Sequence, residues 1–271
     1  MNLVLKDLET IIRELGDLLL EWREQGLIRG SWDGSQLKAD VDRLAHDFLV
    51  KKLRCSWPKI PVVSEEDAST QNVHRPDEYW LIDPIDGTAS FCNGFDGFVT
   101  QAALIRGCQP VLAVVHAPAL GLTYTATQNG SALCNHVPIS TIASSDHALV
   151  LTDNYPEPRG IARRLYDEIG CTGYVESGSI GLKICRVADG TASLFVKDVI
   201  VRDWDLAPAD LIIARAGGLL TTLDGNHLLY KGSFERKGLI AAANRTLLMQ
   251  VLKYNKTHEN KKLHPHQPTN P

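Results

Sequence analysis

The chain has 271 residues, enough for one large domain or two small ones with a real core. Its 28 Lys and Arg residues nearly balance 32 Asp and Glu, for a net charge of -4, and hydrophobic residues make up 44%. That balance argues against a protein that grips a nucleic-acid polymer by bulk charge, and it leaves open a nucleotide-sized substrate.

Residues 3–25 carry Leu8, Ile11, Ile12, Leu15, Leu18, Leu19 and Trp22 at helical spacing, with Gly26 and Gly30 as stop signals. A second helix is predicted over about 36–54, with Leu37, Val41, Leu44, Phe48 and Leu49 on one stripe. A short strand at 60–63 leads into Glu65-Glu66-Asp67, and a strand at 79–82 runs into Asp83-Pro84-Ile85-Asp86-Gly87-Thr88, where Pro84 reads as a turn. Three strands with tight turns follow, at 98–105, 110–116 and 122–127, so this part reads as helices on an antiparallel meander.

The pattern changes near the Ser/Thr-rich stretch 139–145. Strands are then predicted at 148–152, 192–196, 219–223 and 239–243. They alternate with helices at 159–169, 179–189, 205–216 and from 243 to about 254. The chain therefore divides into an α+β part, 1–140, an α/β part, 141–254, and a polar tail, 255–271, read as disordered. Cys55, Cys92, Cys108, Cys134, Cys171 and Cys185 form no C-x-x-C pair and read as small core hydrophobes in a reduced compartment. No signal-peptide pattern or apolar run of membrane-spanning length occurs, so a cytoplasmic protein with no membrane partner is expected.

Three groups of acids sit at the ends of apolar elements. Asp83 and Asp86 follow a strand, and two carboxylates at such a place repel each other unless a hard cation lies between them. Mg²⁺ takes oxygen ligands of this kind, and the Ile85 carbonyl between the acids adds another. Gly87 and Thr88 open the next helix, where free amides suit a phosphate. Glu65 follows a strand as well, and Asp205 opens an apolar helix, where it can equally serve as an N-cap.

The segments Ser64-Glu65-Glu66-Asp67, Trp80 to Thr88 (WLIDPIDGT), Gly178 to Lys183 (GSIGLK) and Trp204 to Asp210 (WDLAPAD), with Ala216-Gly217-Gly218, come in one order and at one spacing. In these the chain resembles the inositol monophosphatase superfamily of Mg²⁺-dependent, lithium-sensitive phosphatases, from about residue 8 to about 250. The resemblance implies a layered αβαβα sandwich of the inositol monophosphatase and fructose-1,6-bisphosphatase type, with the site in a cleft between two halves. It implies about two or three Mg²⁺ ions, held by Glu65, Asp83, the Ile85 carbonyl, Asp86 and Asp205. Thr88, with Glu65, is implied to orient and activate a metal-bound water, and Gly87 and Thr88 to cradle the phosphate. The acid of the second helix that belongs to the pattern matches Asp42, with Asp40 as its rival. The family often dimerises, which makes a homodimer an expectation.

Two branches compete for the substrate, a small phosphate ester. Lys183, beside Ser179, is similar to a lysine of the 3′(2′),5′-bisphosphate nucleotidases, where a cation suits a second phosphate. Against this, Ala89-Ser90-Phe91 stands where those enzymes have Lys-Glu-Phe, and Asp198 matches an acid that contacts inositol hydroxyls in the inositol monophosphatases. The expectation leans to hydrolysis of 3′-phosphoadenosine 5′-phosphate to AMP, with inositol-1-monophosphatase activity as the alternative. A phosphatase with an aspartyl nucleophile would carry D-x-D-G-T, and the spacing here is one residue longer. A non-catalytic phosphate-binding protein on the same fold is the alternative of another class.

Overall fold

The computed structural model describes residues 2–25, 30–33, 36–72, 74–141 and 148–263. Two sheets organise them. The first has seven strands: β3 (Val62–Ser64), β4 (Glu78–Asp86), β5 (Val99–Arg106), β6 (Gln109–Ala117), β7 (Leu122–Thr127), β8 (Leu133–Cys134) and β9 (Val137–Pro138). They lie in sequence order, with β3 parallel to β4 and every other neighbour antiparallel. The second sheet has the order β11-β10-β12-β14-β13. It is built from β10 (Val150–Asp153), β11 (Gly173–Glu176), β12 (Leu194–Arg202), β13 (Leu219–Thr222) and β14 (Glu235–Ala242).

Side-chain alternation sorts the layers, because successive strand residues face opposite ways. On β4, Trp80 and Ile82 turn to helices α1 (Asn2–Glu24) and α2 (Asp40–Ser56), where they meet Leu8, Ile12, Leu15, Ala45 and Leu49. Tyr79 and Leu81 turn the other way, towards α5 (Ile180–Ala188) and α6 (Asp203–Arg215). On β12, Phe195 faces that same interior, while Leu194 and Val196 face α4 (Gly160–Ile169) and α7 (Arg245–Leu263). Helices, sheet, helices, sheet and helices thus stack as five layers, the sandwich expected from the sequence.

The central helices are buried on nearly every side and carry a large share of apolar residues, as a helix between two sheets must. Leu182, Ile184, Cys185, Val187 and Ala188 of α5 are all buried, as are Leu206, Ala207, Ala209, Ile212 and Ile213 of α6. Each large apolar side chain so buried contributes about 1.5–3 kcal/mol relative to exposure. The packing anchors both helices and fixes where their N-terminal turns point.

Several elements depart from the sequence expectation. Gln36–Ala39 is not helical: it forms β2, paired antiparallel with β1 (Gly30–Asp33), and α2 starts at Asp40. An Asp-Gly pair at 33–34, a short-range hairpin signal, lies just before the stripe that reads as helical. Gly30 therefore opens a strand instead of ending α1, and Gly26 lies outside the described residues. The β8–β9 hairpin turns on Asn135 and His136, both at positive φ (47° and 66°), as a primed hairpin turn requires. Helix α7 runs past residue 254 to Leu263, so the start of the expected tail is helical, and 264–271 lie outside the described residues. The Ser/Thr-rich stretch falls partly on 142–147, also outside them. All six cysteines are free thiols, but only Cys171 and Cys185 are fully buried. Among the described residues no helix is long and apolar enough to cross a membrane.

Where β5 begins, its backbone touches that of the turn before α5. The Ser179 amide donates to Gly97 O (2.7 Å), and a Cβ on Gly178 would lie 2.1 Å from that same oxygen. Backbone atoms held in two elements cannot step aside as a flexible side chain can. Gly178→Ala is expected to cost roughly 1–3 kcal/mol, read as a lower melting temperature in thermal unfolding. An unchanged melting temperature would show that the two segments part freely.

Candidate active site

The sequence Asp83-Pro84-Ile85-Asp86 is the end of β4, not a turn. Asp83 pairs with Gln101 and Asp86 with Val99, so three steps along β4 match two along β5. This is a β-bulge, a place where a strand accommodates proline. Residues three apart on a regular strand face opposite ways, and the extra residue of the bulge turns both aspartates to the interior face. Glu65 reaches the same level from the next strand. Ser64 is in register with Ile82 in the parallel β3–β4 pair, so the residues that follow them, Glu65 and Asp83, come level.

Asp205 arrives from across the sandwich, in the first turn of α6. The helix starts two residues earlier than expected, so Asp205 is not its N-cap: it is the third residue, and its Oδ2 accepts from the amide of the N-cap residue Arg202 (2.8 Å) in a capping box, which leaves its other oxygen for the interior. Glu65, Asp83 and Asp205 each place a carboxylate oxygen within 4.8 Å of the others. Asp83 is 1% exposed; its Oδ1 accepts from the Ile85 amide (3.0 Å), and no hydrogen-bond partner reaches its buried Oδ2. The Glu65 carboxyl, when protonated, can also bond to Asp83. An all-oxygen donor set around an orphaned buried carboxylate oxygen fits a hard cation such as Mg²⁺.

The trio lies at the wall of an open cleft of about 560 Å³. Asp86 lines the cleft but aims its oxygens at the start of α5: Oδ2 accepts from the Gly181 amide (2.7 Å) and Gln101 Nε2 (3.3 Å), and Oδ1 from the Ile180 amide (3.4 Å). Ser179 caps the same helix through the Leu182 amide. Gly87, at φ 88°, begins a short helix, α3 (Thr88–Cys92), in the left-handed backbone region that glycine adopts most readily. The Thr88 hydroxyl is within reach of two acceptors, the Ile85 carbonyl (3.2 Å) and Asp42 Oδ1 (3.3 Å). Between the rival acids of α2, Asp42 is 5% exposed and meets Thr88, while Asp40 is exposed.

Lys183 is fully buried on α5 and still lines the cleft. Its ammonium donates to Asn154 Oδ1 and to the Gly178 carbonyl, and lies 5.0 Å from the centre of the Phe195 ring. Asp198 is not brought to this site. It sits at the irregular stretch of β12, is not among the residues that line the cleft, and pairs with Arg164 at 3.7 Å on the surface. The bulge in β12 is the physical reason: Gly238 (φ 78°) packs against Lys197 and Asp198 and leaves Ile200 and Arg202 to face the cleft. Sequence reasoning missed Asn154, Gln101, Arg202 and Glu235. Only Arg202 had a signal, its place beside the Trp204-Asp205 pair.

Burial and like charge govern the titration of the acids. Burial, then the Glu66 and Asp86 carboxylates, push Glu65 up to about 7. Asp83 and Asp205 are raised well above the ordinary range by burial first, then by the acids around them. Asp86 is raised by burial, with the Gly181 amide and Lys183 opposing. Burial, then Lys197, bring Lys183 down to about 7, against the pull of Asp86, Asp153 and Asp205.

Residues 8–260 match the profile of the inositol monophosphatase family. The chain belongs to that family. Its members include phosphatases, and its sequence relatives are of more than one kind. It is 29% identical to the 3′(2′),5′-bisphosphate nucleotidase CysQ of Aggregatibacter actinomycetemcomitans, over 84% of this chain and 87% of that protein. It is 27% identical to the Nus factor SuhB of Pasteurella multocida, over 79% of this chain and 80% of that protein. Among solved structures, the Thermotoga maritima IMPase superposes with a TM-score of 0.80 at 24% identity, over 96% of this chain and 99% of that one, and so shares the fold.

A carboxyl whose pKa is raised by folding makes the folded protein hold its proton more tightly than the unfolded chain does. Its contribution is present below the unfolded value and is lost as pH rises towards the folded one. For Glu65 that window runs from 4.5 to about 7. The metal-free protein is therefore expected to lose thermal stability between about pH 5 and about pH 7.5. Added Mg²⁺ should raise its melting temperature more at the higher pH. An equal Mg²⁺ effect at both would mean that the cation does not occupy this cluster.

Proposed function

We propose that this family member is a Mg²⁺-dependent phosphomonoesterase and that its preferred substrate is a 3′(2′),5′-bisphosphate nucleotide, 3′-phosphoadenosine 5′-phosphate, converted to AMP. One observation carries the reading: the carboxylate trio and the buried Lys183 ammonium line a single cleft. Glu65, Asp83 and Asp205 hold the metal, with the Ile85 carbonyl and Asp86 completing a site for about two or three ions. Bound there, Mg²⁺ supplies an acidified water and offsets the charge on the phosphate and the departing oxygen.

The chain's own groups do the rest. Thr88 donates its hydroxyl hydrogen bond to Asp42 Oδ1 or to the Ile85 carbonyl and keeps its proton, which leaves its lone pairs to orient the attacking water, from which Glu65 takes a proton. The Gly87 and Thr88 amides take phosphate oxygens, with Ser179 beside them. Lys183 and Arg202, both on the cleft wall, take the second phosphate. The water oxygen bonds to phosphorus, the ester P–O bond breaks, and the alcohol leaves with a proton, with no covalent phosphoenzyme. The similarity to the CysQ nucleotidase supports this substrate.

An inositol monophosphatase is the second reading. The Ala89-Ser90-Phe91 run and the Glu235 carboxylate on the cleft wall favour it, as an acid there can accept sugar hydroxyls. The surface position of Asp198, the residue expected to serve those hydroxyls, weighs against it. The relative named a Nus factor makes a non-catalytic protein the alternative of another class.

Phosphate release from 3′-phosphoadenosine 5′-phosphate, inositol 1-phosphate and fructose 1,6-bisphosphate, with Mg²⁺ and with added Li⁺, separates these readings. The bisphosphate nucleotide is expected to show the highest kcat/KM and Li⁺ to inhibit. Glu65→Gln should lower kcat by about 100-fold or more. Lys183→Met should raise KM for the bisphosphate nucleotide while sparing inositol 1-phosphate. A strong inositol preference would replace the first reading by the second, and no release from any of the three would leave the non-catalytic one.

A further inference from the structure

Two residues before Asp205, the first residue of α6 is a fully buried aspartate, Asp203. Two guanidinium groups bracket it. Arg236 on β14 donates from Nε to Oδ1 (2.8 Å) and from a terminal nitrogen to Oδ2 (3.0 Å), while Arg75 reaches Oδ2 at 2.6 Å. The Arg75 side chain is 4% exposed. It donates to the Tyr79 hydroxyl and to the Gly232 and Ser233 carbonyls, and it stacks 3.7 Å above the Phe234 ring. The Asp203 amide donates to Phe234 O (2.9 Å). At the other end of the segment that carries Arg75, the Gln71 side-chain Nε2 donates to the carbonyls of Ser64 and Glu65 (3.0 and 2.8 Å).

Taking a carboxylate and two guanidiniums out of water gains little net stability, because desolvation offsets most of the attraction. What a bidentate pair and a second fork supply is a fixed geometry. Here that geometry joins the segment after Glu65, the strand β14 and the first turn of α6. On the reading of Glu65, Asp83 and Asp205 as Mg²⁺ ligands, we propose that Asp203, Arg75 and Arg236 are positioning residues. They hold the Asp205 turn at the distance from Glu65 and Asp83 that one cation requires.

The test is calorimetric titration of the metal-free protein with Mg²⁺, paired with thermal unfolding without metal. Arg75→Gln is expected to weaken Mg²⁺ binding by about 10-fold or more, and Arg75→Lys, which keeps the charge but not the fork, to fall between. Leu228→Ala, buried in the same core as Tyr230 and Phe234, is expected to lower the melting temperature and keep the Mg²⁺ affinity. If Arg75→Gln fails to fold, Arg236→Lys carries the same comparison. The inference is overturned if the arginine variants bind Mg²⁺ as tightly as the unmodified protein, or if Leu228→Ala loses affinity in step with its stability. It also falls, with the metal reading, if the unmodified protein binds no Mg²⁺. A protein that binds Mg²⁺ in this pattern but hydrolyses none of the three esters supports the inference while defeating the proposed reaction.

Discussion

Carboxylates that must share a dry pocket repel one another, and most of the molecule can be understood as the scaffold that forces them together. Glu65, Asp83 and Asp205 come from three separate elements, and Asp83 is buried outright. The free energy that holds them comes from elsewhere, from the apolar surface of α5 and α6 between the sheets. The trio is therefore an electrostatically unfavourable arrangement, and the packing around it supplies the stability that offsets it; on the proposed reading a bound cation would relieve the repulsion.

The neighbouring groups are arranged so that few polar atoms compete for that interior. Asp86 is satisfied by the α5 amides and Gln101, and Asp205 spends one oxygen on the Arg202 amide. Thr88 and Asp42 meet each other. Asp83 Oδ2 and Gln101 Oε1 are left as buried acceptors that no hydrogen-bond partner reaches.

Legibility in the sequence followed the range of the interaction involved. The periodic stripe of Leu8, Ile12, Leu15 and Leu19 and the alternation along β4 to β7 are local patterns, and they read correctly. The acids at 65, 83 and 205 were legible because each ends or begins an apolar element. What was not legible depends on pairing between distant segments. Strand β2 fell within the start of a helix-like stripe, and the bulge in β4 read as a proline turn because register is invisible in one strand alone. Asp198 looked like a site acid until the β12 irregularity against Gly238 took it to the surface. Asp203, Arg75 and Arg236 lie far apart in sequence and share no motif, so nothing marked them as a cluster.

The bulge between Asp83 and Asp86 bears on how this segment tolerates change in length. Which face a strand residue occupies is a matter of parity, and the single extra residue is what gives both aspartates the same parity. Substitution at Pro84 or Ile85 alters a side chain and leaves that parity intact. Loss of one residue between the aspartates would preserve both acids in the sequence and send one of them to the α1–α2 side of the sheet. In this stretch, the count of residues carries more of the function than their identity.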